Sequence, residues 1–270
     1  MSALSLQVAG IRLGLRTVTR LAGQDARSRY RGFFTRGRPR YRLALEEARH
    51  LGSSEDASVK DQDGSLRYRS RRLAWRLDLA TRTGSSQLRD SAQNLDCLLR
   101  LVYGSLVSRG QGLTLHAACL SWKGRAQLFV GPSGAGKTTI SRALETVPGI
   151  RRLSDELVVV KRTTSGFRAF STPFWGEFRL PRNNGSAMLE RVYFLAPPPR
   201  AGEATRVASL TTAEAQRRML KCLVCFERSN PVLERSWDLV LEMLASRPCA
   251  ELAWSKAEAP EALVRRLWGS

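Results

Sequence analysis

Leu4, Leu6 and Val8 alternate with small or polar neighbours, and Ile11, Leu13 and Leu15 alternate again on the opposite parity. Period-two alternation marks a strand with one buried face. The parity changes across Ala9-Gly10, as a bulge or tight turn requires, so the two runs read as a first hairpin. Tyr41, Leu43 and Leu45 continue the pattern, as do Leu66 and Tyr68. Leu73, Trp75, Leu77 and Leu79 give the clearest run, with Arg76 and Asp78 between them. Asp63-Gly64 is a hairpin-turn signal, and the polar, Ser-rich stretch from Leu51 to Asp61 reads as a loop.

From about Asp90 the period changes. Leu95, Leu98, Leu99, Val102 and Leu106 share one helical face, and Gly110 stands where a helix end favours glycine. Leu113 to Trp122 and Ala126 to Val130 then read as strands around a Lys123-Gly124 turn, the second as a central strand. A glycine loop follows directly, then a helix from Thr138 to Glu145. Leu157 to Lys161 and Arg191 to Ala196 read as buried strands, and Pro197 to Glu203 as a solvent loop. Thr211-Thr-Ala-Glu214 is a capping box opening a helix. Leu233, Trp237, Val240, Leu241 and Leu244 mark a second amphipathic helix after Asn230-Pro231. A strand from Ala250 to Trp254 and a helix with Pro260 in its first turn close the pattern. The expected architecture is α/β, with residues 1–85 a β-rich N-terminal part and 86–270 a nucleotide-binding domain whose C-terminal part is helical.

Composition changes this picture in one respect. Hydrophobic and charged contents of 43% and 25% are those of an ordinary globular chain, and no apolar run is long enough to span a bilayer. The net charge is +20, which raises nucleic acid or another acidic partner. Arginine supplies most of it, scattered along the chain rather than clustered, which argues against a dedicated nucleic-acid segment. Cysteines at 97, 119, 222, 225 and 249 form no disulfide framework, and Cys222-x-x-Cys225 has no second pair to complete a zinc site. The Arg-containing, acid-free first 24 residues have a transit-peptide composition, but their strand alternation favours a folded hairpin and a cytoplasmic protein.

The chemistry lies in Gly131-Pro-Ser-Gly-Ala-Gly136-Lys137-Thr138. Between an apolar strand and a helix, this spacing is a phosphate-binding loop, and it points to a nucleoside triphosphate. The nucleotide-binding set is Gly131, Ser133, Gly134, Ala135, Gly136, Lys137, Thr138 and Thr139. Lys137 would reach the β- and γ-phosphates, and the Thr138 hydroxyl would ligate magnesium. Many such proteins carry a metal-holding acid at the end of an apolar strand, and none occurs here. Asp155 and Glu156 precede their apolar strand, Leu157-Val-Val-Val160.

That reversed order, with His116 in Leu113-Thr-Leu-His-Ala-Ala118 fifteen residues before the loop and Leu153-Ser-Asp-Glu156 after it, resembles the kinase core of bacterial HPr kinase/phosphorylase and its shorter relatives. The resemblance covers roughly residues 90 to 200, with Thr172-Pro-Phe-Trp-Gly-Glu177 similar to a segment of the shorter proteins. It implies a core of the HPr kinase and phosphoenolpyruvate carboxykinase type with a mixed sheet. It also implies His116 beside the γ-phosphate and an acidic doublet, Asp155 and Glu156, that holds metal and accepts the hydroxyl proton. The doublet is usually Asp-Asp, so Glu156 is a departure. Glu177 matches a further metal-facing carboxylate. The family's glycine-rich segment for engaging HPr is not visible after Glu177, and its later arginine is not identifiable among Arg179, Arg182, Arg217 and Arg218.

The resemblance therefore implies an ATP- and Mg2+-dependent kinase transferring the γ-phosphoryl group to a hydroxyl, serine of a protein or peptide, with an acidic acceptor suiting the basic chain. The alternative is a nucleotide-binding regulator or ATPase, without transfer chemistry, acting on nucleic acid. No membrane partner is expected, and a homo-oligomer is compatible with either reading.

Overall fold

The computed structural model describes residues 2–17, 28–89, 91–174, 176, 183–200 and 202–269. The fold is mixed α/β, with two mixed sheets. It divides into two compact units, 1–110 with 181–184 and 225–235, and 111–180 with 185–224 and 236–270.

The first unit begins with the expected hairpin. β1 (Ser2–Val8) and β2 (Ile11–Thr17) pair antiparallel, with Val8 opposite Ile11. The turn holds Ala9 at φ 49 and Gly10 at φ 80, the left-handed pair that matches the twist of a two-residue hairpin. The sheet continues through β3 (Tyr41–Glu47), β4 (Lys60–Gln62), β5 (Ser65–Arg69), β6 (Leu73–Asp78) and β7 (Thr83–Leu88). Its spatial order is β1-β2-β3-β7-β6-β5-β4, parallel where β3 meets β2 and β7. Leu13, Leu43, Leu45, Leu66, Leu73 and Leu77 are buried. α1 (Ala92–Arg109) buries Leu95, Leu98, Leu99, Val102 and Leu106. The Tyr103 hydroxyl on α1 donates to the Leu6 carbonyl at 2.8 Å, joining helix to sheet. At the helix end the Arg109 guanidinium forks onto the buried Glu227 carboxylate at 2.7 and 2.6 Å.

Two details depart from the sequence pattern. Gly110 does end α1, but at φ −91 rather than in the left-handed region. β7, Thr-Gly-Ser-Ser-Gln-Leu, carries no hydrophobic alternation. It is a strand because both neighbours supply ladder bonds, and its buried Ser86 hydroxyl donates to the Ala44 carbonyl at 3.1 Å. Gly84 is required there, since a Cβ would stand 2.1 Å from the Arg76 carbonyl oxygen.

The second unit is built on β8 (Gly112–Trp122), β9 (Arg125–Val130), β10 (Arg151–Ser154), β11 (Leu157–Thr163), β12 (Gly166–Phe170), β13 (Ser186–Leu195), β14 (Arg206–Ser209) and β15 (Cys249–Ala253). β13 runs parallel to β9 and β15, while β8 is antiparallel to β9, β10 and β11. Helices cover both faces. On one, Ile140 and Leu144 of α2 (Lys137–Glu145) and Leu263, Val264 and Leu267 of α5 (Pro260–Trp268) pack on Ala118, Leu120, Phe129 and Tyr193. On the other, Ala215 and Met219 of α3 (Thr212–Leu220) and Val240 and Met243 of α4 (Asn230–Ser246) pack on Leu115, Leu128 and Val192. The α3 capping box is present, with Thr211 and Glu214 bonded reciprocally. Beyond residue 200 the described chain is mostly helical, α3, α4 and α5 with the short strands β14 before them and β15 between α4 and α5. Cys222 lies beyond the end of α3 in a turn. The side-chain NH2 of the buried Gln127 on β9 donates to Glu190 Oε2 at 2.8 Å and to the Leu267 carbonyl at 3.2 Å.

Replacing Gly84 with alanine should lower unfolding stability by about 1–3 kcal/mol, because a methyl group cannot share space with a backbone carbonyl. Denaturant unfolding measures this, and an unchanged midpoint would mean that β6 and β7 do not approach so closely.

Candidate functional site

The glycine loop leaves β9 and enters α2. Gly134 and Gly136 sit at φ +79 and +89, where any side chain would strain the backbone. At Gly131 a Cβ would come within 2.7 Å of the Ala135 Cβ, so the loop closes on itself only with glycine there. The Ala135 amide donates to the Pro132 carbonyl at 3.2 Å. The Lys137 side chain folds back over the loop, its Nζ donating to the Gly131 and Pro132 carbonyls at 2.8 Å each. Burial lowers the Lys137 pKa from the ordinary lysine value, opposed by the Cys222 thiol and the Glu156 carboxylate nearby. α2 is anchored as it starts, with the Ile140 amide on the Gly136 carbonyl at 2.9 Å and the Ser141 hydroxyl on the Lys137 carbonyl at 2.9 Å.

His116, Ser133, Gly134, Gly136, Lys137, Thr138, Thr139, Asp155 and Glu156 line one open cavity of about 170 Å³. Strand register explains the meeting. His116 pairs with Leu157 on β11, and the next residue, Ala117, pairs with Val130, directly before Gly131. Asp155 and Glu156 occupy the break between β10 and β11, where the Glu156 carbonyl accepts from the Ala117 amide at 3.1 Å. The break is held by the Ser154 hydroxyl, which donates to the Leu157 carbonyl at 2.7 Å and accepts from the Glu156 amide at 3.3 Å. His116 Nε2 lies 3.6 Å from Glu156 Oε2, beyond hydrogen-bond reach but close enough for an ion pair when the imidazole is protonated. Both side chains are about one-third exposed, whereas the Asp155 carboxylate is fully buried.

Of the residues expected from sequence, Gly131 and Ala135 shape the loop without lining the cavity, and the other described ones line it. Glu177 lies outside the described residues, as do Trp175, Arg179 and Arg182. Gly176 is described, and a Cβ on it would stand 3.2 Å from Glu156 Oε2, so its backbone runs against that carboxylate. The Thr172 hydroxyl, in the same segment, donates to the Leu157 carbonyl.

Two neighbours escaped the sequence reading. Arg152 is buried between Glu145 at 3.2 Å and Asp155 at 3.4 Å, so it joins the end of α2 to the acidic junction. Its signal was the spacing of three before Asp155. The Cys222 thiol lies under the loop, 3.9 Å from the Gly131 carbonyl, and the His116 amide donates to the Cys222 carbonyl at 2.8 Å. No motif could have announced that contact across more than ninety residues.

Among the described residues no group of three or more His, Cys, Asp or Glu side chains is arranged to hold a metal by itself. The cavity does offer hard oxygen donors, the Thr138 hydroxyl and the Asp155 and Glu156 carboxylates. That set fits magnesium, which usually takes one or two carboxylates and completes its shell with phosphate and water.

A family profile described as SynChlorMet cassette protein ScmC matches residues 89–222, just under half of the chain. It is a different family from the HPr kinases. No curated protein matches. Among solved structures, the Hpr(Ser) kinase/phosphatase from Coxiella burnetii is similar at a TM-score of 0.32 and 15% identity, over 57% of this chain and 95% of that one. The likeness to an HPr kinase is therefore a weak structural similarity. No described helix is long and apolar enough to cross a membrane.

Lys137→Met keeps the buried stem and removes only the ammonium group. It should weaken ATP and tripolyphosphate binding at least about tenfold, the worth of a charge-assisted bond, with little change in melting temperature. Calorimetry reads this directly, and undiminished affinity would place phosphate binding elsewhere.

Proposed function

We propose that the chain is a phosphotransferase that moves the γ-phosphoryl group of ATP to a hydroxyl, serine of a protein or peptide being the expected acceptor. What carries the reading is the convergence of a lysine-bearing glycine loop, a histidine and two carboxylates on one small cavity. Holding nucleotide and its metal would account for one acid, but not for a second carboxylate and an imidazole opposite the loop.

The roles follow from position. The glycine loop and the start of α2 form an anion-binding end, with backbone amides and the helix dipole favouring phosphate oxygens. Lys137, released from the Gly131 and Pro132 carbonyls, has its charge available to the β- and γ-phosphates. Thr138 and Asp155 would hold magnesium, which offsets the charge gathered on the transferred group. Glu156 is one-third exposed beside His116, so it is the carboxylate better placed to meet an incoming hydroxyl and accept its proton. Asp155, buried against Arg152, is fixed in orientation by that guanidinium. His116 can hydrogen-bond the transferring phosphoryl group and keep the Glu156 carboxylate aimed. The weak likeness to a kinase/phosphatase is compatible with this reading and adds nothing to it.

Two variants test the assignment. Asp155→Asn is nearly isosteric but loses the carboxylate, and turnover should fall at least about a hundredfold. His116→Gln should lower kcat at least about tenfold and leave ATP affinity nearly unchanged, the signature of a contact made in the transition state. Single-turnover transfer or hydrolysis of the γ-phosphate, with nucleotide affinity in parallel, reads both. A His116→Gln protein that melts early yet turns over normally when folded would return this histidine to a structural role.

A further inference from the structure

The outer face of the N-terminal sheet carries a row of basic side chains, and its central pair, Arg67 and Arg76, meets no carboxylate among the described residues. Lys60 on β4 stands directly across from Arg67 on β5, and Arg67 directly across from Arg76 on β6. The row continues through Ser85 on β7 and Ala44 on β3 to Arg16 on β2. Neighbouring strands are about 4.8 Å apart, so three cations occupy successive rungs of one ladder. Like charges directly opposite on a sheet destabilise it. Lys60 is paired with Asp56 at 2.7 Å, and Asp56 also accepts from the Arg69 backbone amide at 2.8 Å, but among the described residues no carboxylate lies within ion-pair distance of the Arg67, Arg69 or Arg76 guanidinium. Arg67 and Arg76 bond only to the neutral Gln62 and Ser65 side chains. The Arg67 Nε is buried without an acceptor.

This ladder borders an open groove of about 450 Å³, also lined by Tyr68, Ala74, Trp75, Ser85 and Gln87. Ala74 and Ser85 let a backbone approach closely, while the arginines stand along the groove. A charge arrangement that costs stability and faces an open groove is a site for a counter-anion. We infer that this face docks an acidic segment of a partner polypeptide, its carboxylates on Arg67, Arg69 and Arg76.

Polypeptide is favoured over nucleic acid by the same face. Tyr68 and Trp75 also border the groove, but Trp75 is buried and both alternate onto the other face of the sheet from Arg67 and Arg76, so no ring stands beside the arginines for a base to stack on. Glu46 and Asp56 also line the groove, where they oppose a continuous phosphate backbone but suit the spaced charges of a peptide with its own basic or amide groups. The inference does not rest on the phosphotransferase reading.

The test is fluorescence anisotropy of the full chain with a fluorescein-labelled peptide of alternating glutamate and serine, and with an oligothymidylate of equal charge. The peptide should bind, weaken with added salt, and bind at least about tenfold less well to Arg67→Gln/Arg76→Gln. Arg206→Glu/Arg265→Glu, which removes more charge from exposed positions elsewhere, should bind nearly as the parent does. The Arg67→Gln/Arg76→Gln chain should melt no lower than the parent at low salt, since the substitution relieves like-charge repulsion. No peptide binding at low salt, equal loss in both double variants, or tighter groove-dependent binding of the oligothymidylate would each overturn the inference.

Discussion

The candidate site depends on the register of one strand. β8 pairs with β9 through Ala117–Val130 and with β11 through His116–Leu157. Those adjacent pairs bring the end of β9, where the glycine loop begins, to the same level as the β10–β11 break that carries Asp155 and Glu156. A slip of one residue would turn His116 to the opposite face of the sheet. The pattern of burial resists that slip. Leu113, Leu115, Ala117 and Cys119 fill one core while Ala118 and Leu120 fill the other, so both faces of β8 are specified.

The same register sets the electrostatics. The buried Arg152 sits between Glu145 and Asp155, so the helix after the loop and the acidic junction share one cation. Lys137 is held against loop carbonyls in surroundings that disfavour its charge. Phosphate oxygens would offer that ammonium a stronger partner than two neutral carbonyls. Glu156, beside His116 and close to the Gly176 backbone, is the more accessible acid. The two carboxylates are adjacent in sequence yet differ in environment, Asp155 fully buried and Glu156 about one-third exposed.

Much of this was legible in the chain. Period-two runs gave β1, β2, β3, β5 and β6, and the helical face of Leu95 to Leu106 gave α1. The glycine loop and its flanking strand and helix were readable because backbone conformation there permits little but glycine. β7 was not readable, since its polar residues form a strand only through two neighbours. β10, β12 and β14 were missed because four or five residues carry too little periodicity. Asp155 and Glu156 stood out by their order before an apolar strand, but Arg152 and Ser154, which hold them over three residues, belong to no motif. The Cys222 contact with the loop is made across the fold. The basic ladder was invisible for the same reason, since Lys60, Arg67, Arg76 and Arg16 are scattered in sequence and aligned only by pairing.

The chain has only two histidines, His50 and His116, and His116 alone lines the cavity with the glycine loop. Paramagnetic broadening of histidine ring signals by substoichiometric Mn2+ with ATP therefore reports where the metal-bearing triphosphate end resides. The account predicts that the His116 ring resonances broaden while those of His50 do not, and that Lys137→Met abolishes the effect. Equal sharpness of both histidines with nucleotide bound, or selective broadening of His50, would contradict it.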